Sequence, residues 1–240
     1  MYVKHLELST PIPIENISHL WEQNNILILL INLKDYNIPN VSYLNASEKK
    51  RLESLKTSYF RKRYIVSRSA LKHILQNIPD YSKKDQSISK ICTYSDEYGE
   101  VHIRSHKELH ICISYTGSII SLAVSKVKMG IDIELRKMIS LGKMSKYLQT
   151  ADLKTDNCED EFDILTVWTL KEAYCKFSNK SMLSILNKEL DLSDVFHASY
   201  NLSNKYVLSV VTEKNPCSLN ITCLSKIELL EKLEAFSEEI

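Results

Sequence analysis

The sequence predicts an α+β (α/β) fold with two similar halves, and three observations support this prediction. Residues 26–31 form a short, continuously apolar run, which is typical of a buried strand. Between residues 52 and 75, apolar residues recur at helical spacing and stop before Pro79. The strand-like segment 119–124 is echoed by 206–211. Two such halves would leave a ligand cleft between them, because pockets favour the interfaces between domains.

Composition excludes several classes of protein. A net charge of +1 over 240 residues argues against a general nucleic-acid binder. With only four glycines there is no glycine-rich phosphate loop of the Walker or Rossmann kind. The six cysteines form no C-x-x-C pair, and no secretory signal or bilayer-spanning run is present. We expect a cytoplasmic monomer that binds neither membrane nor nucleic acid.

Two short blocks of sequence contain the candidate metal-binding and phosphate-binding residues. In the block 130–134, acids alternate with isoleucine, so Asp132 and Glu134 share one face of a predicted strand. In the block 168–176, Glu172 and Lys176 are neighbours on one face of a predicted helix. Three carboxylates are the oxygen ligands that a hard cation such as Mg²⁺ takes, and a nearby lysine can hold a phosphate. The alternative is a half-exposed strand and an ion-paired surface helix.

The two blocks together resemble the paired signature of the 4′-phosphopantetheinyl transferases. They are Gly-Ile-Asp-Ile-Glu and, about forty residues later, Trp-Thr-Leu-Lys-Glu-Ala-x-x-Lys. Their separation and the length of chain before them resemble the two-lobed, surfactin-type branch of this family. The resemblance implies pseudo-twofold-related lobes, each a small, mainly antiparallel sheet packed on helices, with the active site in the cleft between them. Residues 1–125 would form the lobe that contributes to coenzyme A binding, and residues 126–240 the lobe with the metal and catalytic motifs.

The resemblance also implies an activity and its residues. The enzyme would move 4′-phosphopantetheine from coenzyme A to a serine hydroxyl of an apo acyl or peptidyl carrier protein, and release adenosine 3′,5′-bisphosphate. Asp132, Glu134 and Glu172 would hold Mg²⁺, and Glu172 would also be the catalytic base. Lys176 would grip the pyrophosphate with help from Lys171.

Coenzyme A contacts are expected along an earlier part of the chain. Nine basic residues lie between positions 49 and 72, which is either a solvated helical face or an anion site. In the family this segment binds the 3′-phosphate, and Lys49 and Arg63 are the candidates here. Ser114 matches a family serine, whereas Tyr115 stands where histidine is usual and carries no positive charge.

Further departures from the family pattern leave a second function open. Gly99 is followed by Glu100 and Val101 where the family usually has Lys-Pro, so a cation is missing beside the nucleotide. The alternative function is therefore a diverged, non-catalytic protein of the same fold that binds coenzyme A or a nucleotide. Histidines at 102, 106 and 110 would share a face on a helix and suggest a zinc ladder, but the segment reads as strands.

Several local elements can also be predicted. Asn45 or Ser47 is expected to cap the helix that follows. Residues 206–211 and 219–224 are expected to pair as a hairpin, and residues 138–150 and 225–238 to form helices.

Overall fold

A computed structural model describes residues 3–23, 26–37, 39–79, 81, 88–97, 99–136, 161–186 and 188–230. Within these ranges the protein is a mixed α+β fold with two β-sheets and four α-helices, as predicted. The helices are α1 Ile17–Gln23, α2 Ala46–Glu53, α3 Ser58–Gln76 and α4 Glu161–Ser178. The strands are β1 Val3–Leu6, β2 Ile26–Asn32, β3 Thr93–Ser95, β4 Val101–Ile103, β5 His110–Thr116, β6 Ile119–Ser125, β7 Met129–Leu135, β8 Phe196–Leu202, β9 Tyr206–Thr212 and β10 Leu219–Cys223.

The larger sheet has six strands in the order β10-β2-β6-β5-β4-β3. Strand β2 is continuously apolar because both of its faces are covered. Leu27, Leu29 and Ile31 belong to a core shared with helix α3. The alternate residues of the same strand pack into a second core, which includes residues of β7 and β9. The sequence prediction of a buried strand over 26–31 is therefore confirmed.

The smaller sheet has four strands in the order β1-β8-β9-β7. Its edge strand β1 comes from the start of the chain and runs parallel to β8. Conversely, β10 comes from the end of the chain and runs parallel to β2 in the larger sheet. Each sheet thus includes one strand from the opposite end of the sequence, so the sheets do not divide at residues 125 and 126. The two-lobed, pseudo-twofold arrangement stays a prediction.

The predicted hairpin of residues 206–211 and 219–224 is wrong. Strand β9 pairs with β8 and β7 in the smaller sheet, whereas β10 pairs with β2 in the larger one. Both strands form, but their partners are distant in sequence, which local periodicity does not reveal. The predicted helix 138–150 lies outside the described residues, as does the segment 231–238 of the predicted C-terminal helix.

Helix α2 begins with a capping box. The side chain of Asn45 accepts a hydrogen bond from the Glu48 amide, and the Glu48 carboxylate accepts one from the Asn45 amide. Asn45, one of the two predicted caps, is confirmed. Glu48 is itself buried and forms a 2.6 Å ion pair with Lys72 of α3, so one of the nine basic residues is structural.

The two sheets meet where β5 lies beside β7, and side chains of β5 replace a backbone ladder there. The sulfur of Cys112 accepts a hydrogen bond from the Ile131 amide at 3.3 Å. The Ser114 hydroxyl accepts one from the Ile133 amide at 3.3 Å. The Thr116 hydroxyl completes the series by accepting one from the Leu135 amide at 2.9 Å. These three bonds fix β7 against the larger sheet.

Helix α4 packs closely on β7, and Gly130 makes this possible. A β-carbon at Gly130 would lie 2.0 Å from the Ala173 carbonyl oxygen and 2.5 Å from the Phe177 amide nitrogen. Glycine is therefore required by the approach of two backbones. The same packing brings the acids of β7 opposite Glu172 and Lys176.

Candidate active site

Strand β7 carries Asp132 and Glu134 on one face, as predicted, and β5 supplies a hydroxyl to each. Ser114 Oγ donates to Asp132 Oδ1 at 2.6 Å. Thr116 Oγ1 donates to Glu134 Oε2 at 2.8 Å. Each hydroxyl also accepts from a β7 amide, so it holds the strand and its carboxylate together. Thr116 was not predicted as a site residue.

Helix α4 places Lys176 against the same strand. Its ammonium donates to Asp132 Oδ1 at 2.8 Å and to the Ile131 carbonyl at 3.0 Å. Burial lowers the pKa of Lys176, but the negative groups around it, Asp132 first and then Cys112 and Glu172, together outweigh burial, so the pKa lies above the ordinary value. The lysine therefore stays charged and forms an ion pair with a carboxylate that is only 2% exposed.

The cluster holds more negative charge than Lys176 can balance. Burial and then the charge of Asp132 raise the pKa of Glu172 to about 7. Burial and Asp132 also raise the pKa of Glu134. Asp132 Oδ2 is buried and accepts no hydrogen bond from an N–H or hydroxyl of the described residues, whereas the protonated Glu172 carboxyl can donate to Asp132. A buried carboxylate oxygen without a donor and a carboxyl that resists ionisation both favour a bound proton or cation at this point.

The donor set at this cluster is made of oxygen atoms alone, which suits a hard cation. The ligand atoms of Asp132, Glu134 and Glu172 do not form a group in which all lie within 4.8 Å of one another. In the described part of the chain, that criterion is met by Asp96, Glu100 and His102, which could hold a metal ion.

A cavity of about 550 Å³ opens beside the cluster and has Lys176 in its wall. Both sheets contribute to it, together with the end of α4 and the turn before β4. Its cationic wall residues are Arg68, Lys176 and Lys180, and its acidic ones are Glu97 and Glu100. Glu100, one of the departures from the family pattern, thus lies in the cavity wall.

Arg68 is a site residue that the sequence analysis missed. It is 7% exposed, and its Nη2 donates to Ser95 Oγ at 2.9 Å. Its Nη1 is buried and makes no hydrogen bond to any described residue. A buried guanidinium with an unused donor in a cavity wall is suited to an anionic ligand. The available signal was its position on the apolar stripe of α3, three residues before Leu71.

The side chains of Arg63 and Tyr115 stack on each other. The Arg63 guanidinium lies 3.7 Å from the centre of the Tyr115 ring, within cation–π range. The Tyr115 hydroxyl donates to Ser67 Oγ at 3.0 Å, and the ring lines the cavity. Arg63 therefore holds a positive charge against the Tyr115 ring.

The other predicted coenzyme A contacts have different surroundings. Lys49 is exposed on α2. Ser114 is 3% exposed and faces Asp132 instead of the cavity. Lys171 is fully buried, and its ammonium donates to the carbonyls of Leu186 and Lys188 at 2.9 and 2.8 Å. These contacts tie α4 to the loop after it, so the position of Lys171 does not support a role in binding coenzyme A.

The three histidines that would share one face of a helix do not lie on a helix. His102 is on β4 and His110 is on β5, while His106 lies in the loop between them and is paired with Glu108. Because Val101 pairs with Ile111 in an antiparallel register, His102 and His110 are opposite each other across β4 and β5, but neither His106 nor His110 belongs to the group of ligand atoms around His102. The five cysteines in the described ranges are all free thiols. None of the helices described is long and apolar enough to cross a membrane.

No protein-family model matches the chain, and no curated protein matches it either. The chemistry of its own residues therefore carries the functional argument.

Proposed function

We propose that the protein is a 4′-phosphopantetheinyl transferase that acts on an apo acyl or peptidyl carrier protein. One observation supports this above the others: Asp132 and Glu172 lie beside Lys176, and Lys176 is in the wall of a cavity of about 550 Å³. Pockets that bind small molecules and cofactors usually measure roughly 300–1,000 Å³. A buried carboxylate pair with a lysine beside such a cavity is suited to transfer of a phosphoryl group.

The oxygen donors of these residues suit a divalent cation, although their ligand atoms do not all lie within 4.8 Å of one another, and we propose Mg²⁺ as the cofactor. Asp132, Glu134 and Glu172 would hold it through oxygen atoms, and the buried Asp132 Oδ2 has no other donor among the described residues. When bound, Mg²⁺ would neutralise charge on the pyrophosphate of coenzyme A.

The chain's own groups then perform the transfer. The serine oxygen of the carrier forms a bond to the phosphorus that bears the pantetheine arm. The bond from that phosphorus to the bridging oxygen breaks, and the electron pair leaves with adenosine 3′,5′-bisphosphate. Glu172 accepts the serine proton, and its pKa of about 7 in the cluster without a cation suits a general base near neutral pH. Lys176 holds the pyrophosphate as a point charge.

The opposite part of the cavity would hold the nucleotide. Arg68 offers its unused Nη1 to a phosphate, and Arg63 is positioned by its stack on Tyr115. These two arginines therefore replace Lys49 and Lys171 as the best-placed cations for the phosphates, with Arg63 retained from the sequence prediction.

The alternative is a binding protein of the same fold without transferase activity. Glu97 and Glu100 in the cavity wall favour it, since acids beside a polyphosphate would weaken the binding of coenzyme A. The charged cluster of Glu172, Lys176 and Asp132 favours the enzyme, because a binding protein needs no base with a raised pKa.

The deciding experiment incubates the protein with coenzyme A, Mg²⁺ and a panel of apo carrier proteins, and reads carrier mass by intact mass spectrometry. We expect one phosphopantetheine per carrier, no reaction in chelator, and recovery on adding Mg²⁺. Glu172→Gln should slow single-turnover labelling at least ~10²-fold while coenzyme A binding, measured by calorimetry, falls only modestly.

Two results would contradict the proposal. Labelling by Glu172→Gln at the wild-type rate would remove Glu172 as the base. Coenzyme A binding without modification of any carrier would favour the binding protein instead.

A further inference from the structure

The turn between β3 and β4 gathers three metal-ligating side chains away from the acids of β7. The ligand atoms of Asp96, Glu100 and His102 all lie within 4.8 Å of one another. His102 Nε2 is 3.0 Å from Asp96 Oδ2. All three side chains are half-buried, with 32% of the His102 side chain and 26% of the Asp96 side chain exposed. A nitrogen and two carboxylates are thus already assembled on one turn.

The backbone of the turn holds these groups in place. The amide of Asp96 donates to the Glu100 carbonyl at 3.1 Å, and the amide of Gly99 donates to the Asp96 carbonyl at 3.2 Å. Gly99 has a φ of +86°, a conformation that side chains other than glycine rarely adopt. The Glu100 amide donates to Asp96 Oδ1 at 2.9 Å, which turns Oδ2 towards His102.

A neighbouring aromatic ring orients the imidazole. Tyr94 and His102 are directly opposite in the antiparallel pair of β3 and β4. Their ring centres are 5.2 Å apart with the planes tilted by 30°. Contact with a ring on one side reduces the freedom of the imidazole, so little order would be lost when it binds a metal ion.

A second observation points to a ligand at the same wall. Glu100 and Arg68 both line the cavity, and Arg68 bonds to Ser95, the residue before Asp96. Arg68 is more than nine-tenths buried and keeps an unused Nη1. An anion held there would lie beside the turn, where its oxygen could complete the coordination of an ion held by three protein ligands.

We propose that Asp96, Glu100 and His102 form a binding site for a divalent transition metal of the Zn²⁺ class, distinct from the acids of β7. Imidazole suits Zn²⁺ and its neighbours, whereas Mg²⁺ prefers oxygen alone. Zn²⁺ bonds of ~2.0–2.1 Å in a tetrahedron separate the ligand atoms by about 3.3 Å. The His102–Asp96 separation of 3.0 Å is already close to that value, and the Glu100 oxygen lies within 4.8 Å of both, so a movement of up to about 1.5 Å (4.8 minus 3.3) would complete the site.

The ion would change the charge of the cavity. It adds two positive charges to the wall that Glu97 and Glu100 make acidic. On the proposed function, which this consequence assumes, the ion would replace the cation that the family pattern supplies beside the nucleotide. Metal binding itself does not depend on that function.

The test titrates chelator-treated full-length protein with Zn²⁺ by calorimetry, in the absence of coenzyme A. We expect one tight site per chain that millimolar Mg²⁺ does not displace. His102→Gln and Glu100→Gln should each weaken binding at least ~10-fold. His106→Gln is the matched control, because that ring is paired with Glu108 and lies outside the group, so affinity should stay at the wild-type value.

Further controls separate this site from others. Asp132→Asn should retain the Zn²⁺ site, which distinguishes it from the acids of β7 whatever the result of carrier labelling. Co²⁺ should bind without a thiolate charge-transfer band, since no cysteine belongs to the group. The proposal would be overturned if both folded variants, His102→Gln and Glu100→Gln, bound Zn²⁺ with wild-type affinity. It would also be overturned if the thiolate band of Co²⁺ showed that the only bound ion is an adventitious one held by cysteine.

Discussion

Replacing Gly130 by alanine tests the contact that holds the candidate site together. The new β-carbon would lie 2.0 Å from the Ala173 carbonyl oxygen and 2.5 Å from the Phe177 amide nitrogen. Both are backbone atoms of α4, so no change of rotamer can relieve the overlap. To reach the ordinary contact distance of 3.4 Å, the oxygen must retreat by 1.4 Å (3.4 minus 2.0).

This displacement has a cost in stability and in geometry. Overpacking usually costs about 1–3 kcal/mol, and a clash between backbones belongs at or above the upper limit, about 3 kcal/mol. Since Lys176 is on the same helix, its 2.8 Å contact with Asp132 should also lengthen. We expect a lower free energy of unfolding together with a weakened site.

Urea unfolding followed by circular dichroism measures the first effect. Gly99→Ala is the control, because a β-carbon there meets no atom within 4 Å while the φ of +86° is strained. It should cost only about 1–2 kcal/mol. If Gly130→Ala unfolds within about 0.5 kcal/mol of wild type, the close approach of β7 and α4 is not what requires glycine.

Three further predictions concern charged groups. Lys176→Ala should weaken coenzyme A binding by roughly 1.5–3 kcal/mol and also slow transfer, because the lysine contacts phosphate in both the ground state and the transition state. Calorimetry measures the binding and carrier labelling measures the rate; unchanged binding would contradict this. Lys72→Met should lower the free energy of unfolding by roughly 3–5 kcal/mol, because it leaves the Glu48 carboxylate buried without its cationic partner. Adding Glu48→Gln removes that charge and should recover part of the loss. If urea unfolding gives the single and double variants the same stability, the unpaired charge of Glu48 is not the cause. Burial lowers the pKa of His73 to about 4 against 6.5 when unfolded. The unfolded chain therefore binds more protons at His73 as pH falls from about 6.5 towards 4, and this residue alone costs about 2 kcal/mol of stability between pH 7 and pH 5. Buried carboxyls with raised pKa values, such as Glu172, act in the opposite direction in both proteins, so the expected result is a difference: between pH 7 and pH 5, wild type should lose about 2 kcal/mol relative to His73→Phe. Parallel pH profiles of the two proteins would refute this.

Local patterns in the sequence predict much of this molecule, because they report which face of an element is buried. The apolar run of β2, the alternation of β7 and the cap at Asn45 depend on neighbours within a few residues. Pairings between distant segments leave no such mark. Strand β10 therefore forms as expected but joins β2, and β1 joins a sheet made of strands after residue 125.

Charge patterns were less informative about individual side chains. Lys171 and Lys176 look equivalent in sequence, five residues apart on one helix. The structure gives Lys171 three carbonyl contacts and full burial, whereas Lys176 contacts Asp132 and the cavity. Arg68 is one of nine basic residues between positions 49 and 72, and charge alone does not distinguish it from the others. Its place on the buried face of α3 does, because a buried guanidinium needs partners.

The supports of the site follow a regular rule that the sequence does contain. Cys112, Ser114 and Thr116 alternate along β5 between larger residues, and each accepts a hydrogen bond from the amide nineteen positions later. Two of the three also donate to the carboxylates of Asp132 and Glu134. A period-two series of small polar residues in a buried strand is otherwise unfavourable, since each hydroxyl must find a partner. The acids of β7 are thus positioned by Ser114 and Thr116, and the local sequence marks these two residues only as polar side chains in a strand that is otherwise apolar and buried.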